Sequence, residues 1–150
     1  MRLFYYLFIT FILISCSNNV ELIFDEDNGG LFLPTGFQSL VVHEGVGQSR
    51  HIAVNENGDI YVKLRLDYGR KGNVALRDKN GDGKADIIQR FGDYPNDGRF
   101  ATEMKINEGY LYYSSERVVY RQKLSSKKLI PDSPVEVILT DPFPIRWHKD

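Results

Sequence analysis

Cysteine is nearly absent: Cys16 is the only one in 150 residues. A single thiol closes no disulfide within the chain, so an exported form must be held together by packing or by a metal. No stretch carries apolar residues at helical spacing over a useful length, which excludes a helical bundle. Charge of one sign is also missing, since 19 Lys and Arg stand against 20 Asp and Glu. No basic face forms, and nucleic acid is not an expected partner. Gly-x-Ser-x-Gly, a phosphate-cradling glycine loop and Cys-x-x-Cys-His do not occur, which removes the chemistries those patterns serve. The histidines, His43, His51 and His148, have no Cys or Glu partner at ligand spacing, which argues against zinc. Glu44, Glu56, Glu103 and Asp97 are scattered singles, so paired-carboxylate hydrolysis has no foothold.

What is present begins with an apolar run. Residues 3–14 are uncharged, follow Arg2, and close on Leu13-Ile14-Ser15-Cys16. As a helix this run measures roughly 18 Å at ~1.5 Å per residue, too short to cross a bilayer. It reads as a signal-peptide core. Its ending resembles the lipobox of bacterial lipoproteins, in which the Cys is acylated and becomes the mature N-terminus. Residues 1–15 are therefore expected to be a lipoprotein signal peptide. Cys16 is the expected lipidation site, and the chain an exported lipoprotein in the periplasm or on the outer membrane. The alternative is an ordinary signal peptide with an incidental Cys16. Residues 16–30 are polar and acidic around a short apolar insert and end in Gly29-Gly30. They are expected to tether the folded part to the membrane.

From residue 31 to 150 the pattern is β throughout. Ile60, Val62, Leu64 and Leu66 alternate with Tyr61, Lys63 and Arg65, the period-two signature of a half-buried strand. Further strands are expected at residues 37–43, 50–54, 73–77, 86–91, 102–106, 110–113, 117–124 and 135–139. Asn57-Gly58-Asp59, Asn107-Glu108-Gly109 and similar turn signals separate them. An internal repeat relates residues 52–62 to residues 104–113, with Tyr61 matched to Tyr112. Each unit continues into a strand ending in Arg, at Arg77 and at Arg121. Four short strands per ~40–50 residues is a propeller-blade period. The expected fold is all-β: a β-propeller of four-stranded antiparallel blades, with about two blades and the start of a third present. A β-sandwich suits the same spacing. Because a propeller needs at least ~4 blades to close, a truncated chain is expected. A short product completed by a partner is the other reading.

The sharpest local motif is Asp78-Lys79-Asn80-Gly81-Asp82-Gly83-Lys84-Ala85-Asp86. Asp78, Asn80, Asp82 and Asp86 hold positions one, three, five and nine of a calcium loop. Gly83 permits the turn, and the Lys84 carbonyl is a further candidate ligand. Gln89 stands where an EF-hand has its bidentate Glu, and the flanks read as strands, so the loop resembles the hairpin calcium loops of integrin-type propellers. An Asp- and Gly-rich solvated turn is the alternative.

Leu33-Pro34-Thr35-Gly36-Phe37, Ser49-Arg50-His51-Ile52-Ala53-Val54, Asn57-Gly58-Asp59-Ile60-Tyr61-Val62-Lys63 and Gly72-Asn73-Val74-Ala75-Leu76-Arg77-Asp78 form an ordered series. The series resembles the start of the glucose/sorbosone dehydrogenase family, in particular its sorbosone dehydrogenase-like exported members. The resemblance implies a six-bladed propeller that binds pyrroloquinoline quinone in its shaft with calcium assisting. It also implies oxidation of a sugar or sugar aldehyde by hydride transfer to the quinone. His148, after Asp141-Pro142-Phe143-Pro144, matches the family's general base; a neutral imidazole suits that role near pH 7. Trp147 stands where other members carry an acidic residue, and the quinone-clamping residues of the family belong to later blades. A non-catalytic propeller lipoprotein that binds glycan or protein is the competing reading.

Overall fold

A computed structural model describes residues 22–68, 71–93, 103–115 and 117–140. Beside one short 3-10 turn at Asn28–Gly30, its regular structure is eight strands: β1 Ser49–Val54, β2 Ile60–Tyr68, β3 Lys71–Arg77, β4 Ile87–Asp93, β5 Met104–Asn107, β6 Tyr110–Ser114, β7 Val118–Lys123 and β8 Glu136–Thr140. They form two four-stranded antiparallel sheets in plain sequential order, β1-β2-β3-β4 and β5-β6-β7-β8. The fold is all-β, and the described sheets do not close on themselves.

Eight of the nine strands expected from the sequence are present within a residue or two. The ninth, at residues 37–43, is not a strand. Its polar backbone is satisfied otherwise: Val41 N–H donates to Asp25 Oδ2 at 2.6 Å, and Ser39 N–H to Asn28 Oδ1 at 3.1 Å. The Val42 carbonyl accepts from Ala85 N–H. With those groups bound to side chains and a loop, no ladder partner is required. The same bonds tie Asp25 and Asn28, within the stretch expected to be a tether, to the folded part.

The two sheets stack face to face. Ala53, Tyr61, Ala75 and Phe91 of the first pack with Met104, Leu111, Tyr113 and Tyr120 of the second, and Leu129 closes the cluster. Tyr61 meets Phe91 edge-on with centroids 6.1 Å apart, and Tyr113 stacks on Tyr120 at 5.6 Å. Aromatic pairs at these distances add to the burial of their large rings. The Tyr61 hydroxyl donates to the Leu129 carbonyl at 2.8 Å, so its one polar atom is satisfied inside the core. Burial, with Asp59 nearby, pushes that phenol up to about 12.

β2 is buried on both faces, unlike the half-buried strand its alternation suggested. Val62 and Leu64 pack in a second cluster with Val74 and Leu76, covered by Val46 and Ala85. Tyr61 and Lys63, on the opposite face, are each 1% exposed. The second sheet covers that face, and Lys63 Nζ donates to the Gly72 carbonyl at 3.3 Å. A phenol and an ammonium with bonded polar ends pass for solvated residues in a hydropathy pattern, which is why the alternation misleads.

The repeat is real in register but shifted in its second half. Tyr61 pairs with Ala75, and Tyr112 with Arg121. The partner of Arg77 in the second unit is thus Lys123, and the two arginines are not equivalent. Tyr61 and Tyr112 both lie on the face pointing away from the preceding sheet. Tyr61 is covered by sheet two, whereas Tyr112 is only half-buried.

Candidate functional site

Loop 78–86 joins β3 to β4 and does gather the residues that the calcium spacing singled out. Asp78 organises it: Oδ1 accepts from Asn80 N–H at 3.0 Å and Gly81 N–H at 2.6 Å, and Oδ2 from Gly83 N–H at 2.7 Å. Asn80 accepts from Asp82 N–H and donates its amide to Asp82 Oδ2, both at 3.0 Å. Asp82 accepts from Lys84 N–H at 2.8 Å, and Asp86 from Lys79 N–H at 2.7 Å. Short polar side chains bonding to backbone a few residues on are what hold such a turn without a ladder. Gly83, at φ +89°, sits where an added Cβ would come 2.7 Å from Leu40 Cδ2.

The carboxylates are therefore close, but their oxygens are taken up by the loop's own N–H groups. Among the described residues no three His, Cys, Asp or Glu side chains form a metal-holding group. The donor set is still one of hard oxygens, the type that calcium takes. Burial pushes the Asp78 carboxyl up. The N–H groups of Gly83, Gly81, Asn80 and Asp82 together pull it further down, so it lies below 3.8.

Asp25 is held down in the same way, first by Val41 N–H and then, against burial, by Lys84; its ion pair with Lys84 spans 3.4 Å. A folded value below the unfolded one gives stability that is present above 3.8 and lost as pH falls through the folded value. We expect an acid titration followed by the amide signals of Gly81, Gly83 and Val41 to be flat near neutrality and to have its midpoint below 3.8. Movement near pH 6 would contradict this account of the loop.

Beside this loop lies an open cleft of about 870 Å³, lined among others by Asp25, Glu26, Asp27, His43, Glu44 and Lys84. A smaller cleft of about 400 Å³ is lined by Asn55 and Glu56 of one repeat and Asn107 and Glu108 of the other. The turns after β1 and β5 therefore lie at one end of the stack. The antiparallel order puts loop 78–86 at that same end. The chain leaves β4 at Asp93 and β8 at Thr140 at the opposite end. His148 and Cys16 themselves lie outside the described residues.

Sequence reasoning missed the cleft beside loop 78–86, because residues 25–27 and 43–44 meet only after folding. It also missed the buried pair formed by Asp59 and Arg77. Arg77 Nε and Nη2 donate to the two Asp59 oxygens, each at 2.6 Å, with Asp59 only 2% exposed. The signal was the Asn57-Gly58-Asp59 turn, where Asn57 in turn bonds Asp59. This pair locks the β1–β2 turn to the end of β3 and is structural in character.

Neither cleft fits pyrroloquinoline quinone, a carboxylate-bearing ligand. Carboxylates line both clefts, and Lys84 is the one Lys or Arg among the lining residues. No family model matches the chain, and neither a curated protein nor a solved structure matches it.

Proposed function

We propose that the chain supplies the first two blades of an exported, lipid-anchored β-propeller: the N-terminal part of a quinone-dependent sugar or aldehyde dehydrogenase of the glucose/sorbosone type. One observation supports the architecture. Two successive four-stranded meanders stack face to face, with β1 beside β5 and repeat residues on equivalent faces. Blades around a shaft are arranged in that way. The ordered series within residues 33–78 supports the family. In this reading Cys16 carries the acyl anchor to the membrane. Calcium braces loop 78–86 through Asp78, Asn80, Asp82, Lys84 and Asp86. His148 takes the proton from a sugar hydroxyl or aldehyde hydrate. In this reading the quinone-clamping residues belong to later blades.

Dye reduction by the complete gene product, supplied with pyrroloquinoline quinone and calcium, tests the reading. Sugar- or aldehyde-dependent reduction is expected, falling at least ~100-fold in His148→Ala. Equal rates in a folded variant would remove His148 from the mechanism. A folded protein inactive on every sugar and aldehyde would leave the second reading, a non-catalytic calcium-stabilised propeller lipoprotein that binds glycan or protein.

A further inference from the structure

Three apolar side chains stand exposed within seven residues: Leu31 is 58% exposed, Phe37 68% and Phe32 fully so. An ordinary surface scatters such side chains singly. No Asp, Glu, Lys or Arg occurs from Asn28 to Val42, so nothing charged interrupts the group.

A closed loop presents them. Its neck is clasped at Asn28 and Ser39: Ser39 N–H donates to Asn28 Oδ1 at 3.1 Å, and Ser39 Oγ to the Asn28 carbonyl at 2.7 Å. Asp25 N–H adds a bond to the Ser39 carbonyl at 3.1 Å. Between these ends, Phe37 N–H donates to the Pro34 carbonyl at 3.1 Å. Gly36, at φ +92°, takes the positive angle that the third position of such a turn requires. The neck is packed, since a Cβ on Gly29 would come 2.9 Å from Val41 Cγ2. Around Gly30 and Gly36 a Cβ would meet nothing within 4 Å. The loop is therefore fixed at its base and stands clear of the protein at its tip.

The loop's place in the chain points to what covers it. Leu22 Cδ2 lies 3.0 Å from where a Cβ on Gly83 would stand, so residue 22 already belongs to the folded part. Six peptide steps separate it from Cys16, a leash of at most about 22 Å when fully extended. Asp25, three residues on, is bonded to the neck. An acyl chain at Cys16 thus holds the neck within a short reach of the bilayer. No Lys or Arg lies between residues 22 and 48, so the segment offers no attraction to anionic headgroups. Leu and Phe are instead side chains that enter the boundary between headgroups and acyl chains. Asp25 and Asp27 are engaged at the neck, where Asp25 pairs with Lys84 and Asp27 accepts from Gly29 N–H. We propose that the tip Leu31–Phe37 inserts Phe32, with Leu31 and Phe37 beside it, into that boundary as a second membrane contact. The proposal rests on the Cys16 anchor of the proposed function and not on its chemistry, so failure here leaves the dye-reduction result untouched.

Cys16 is the only thiol, so the chain lacking residues 1–15 can be alkylated there with one myristoyl-length chain. A single such chain binds membranes only marginally and reversibly, so a second contact shows as tighter partition. In flotation with phosphatidylcholine vesicles, Phe32→Ser is expected to lower the partition coefficient of this chain at least ~10-fold. Phe37→Ser is expected to lower it as well. Val137→Ser removes a side chain that is 59% exposed on β8, and is expected to leave partition unchanged. All three positions are exposed, and circular dichroism checks the fold of each variant. Equal partition of the unaltered chain and Phe32→Ser would overturn the proposal, and so would an equal loss in Val137→Ser. A Phe32→Ser effect on sedimentation without one on partition would also overturn it, and would assign the loop to a contact between copies. The mass of the exported product reports separately whether Cys16 is acylated, so a failed anchor is told apart from a failed loop.

Discussion

Tyr61→Ala is expected to destabilise the chain by about 3–5 kcal/mol, the range for removing a large buried ring. Tyr61 lies on the one face that both sheets share, 1% exposed and edge-on to Phe91. Losing it opens a cavity at the sheet–sheet contact and leaves the Leu129 carbonyl without its donor. Tyr61→Phe keeps the ring and removes only that bond, for about 1 kcal/mol. Urea unfolding of the two variants separates the packing of the ring from its hydrogen bond. A cost below ~1 kcal/mol for Tyr61→Ala would mean that the sheets do not share a core.

The second large effect lies at Asp59 and Arg77, where the two halves of one pair are unequal. Arg77→Met strands a carboxylate that is 2% exposed, and is expected to cost about 3–5 kcal/mol. Asp59→Ala strands a guanidinium that is 25% exposed and can turn toward water, so about 1.5–3 kcal/mol is expected. The order is the informative part, because it follows from burial alone. Equal costs, or the reverse order, would contradict the placement of Asp59 inside the turn.

The strands were legible because each satisfies two signals at once, an alternating or apolar run and a turn at either side. Residues 37–43 satisfy the first signal but spend their backbone on Asp25, Asn28 and Ala85, and those partners are distant in sequence. The burial of Lys63 and Tyr61 was illegible for a related reason. A strand pattern shows which residues alternate, but only a second sheet decides whether the polar face meets water. Loop 78–86 was legible as a compact acidic turn because its bonds are nearly all local. The cleft beside it was not, since Asp25 reaches Lys84 across 59 positions. Matching Arg77 to Arg121 misplaced the second half of the repeat, because residue identity was followed where register governs.

The stacking of two successive four-stranded sheets underlies the propeller reading. Its most direct test is the contact between Tyr61 of β2 and Leu129, which follows β7. Nuclear Overhauser effects between the Tyr61 ring and the Leu129 side chain and Hα are expected, as are further ones from Tyr61 into the Met104 and Leu111 side chains. Two sheets that each fold yet show no such effect between them would contradict the account.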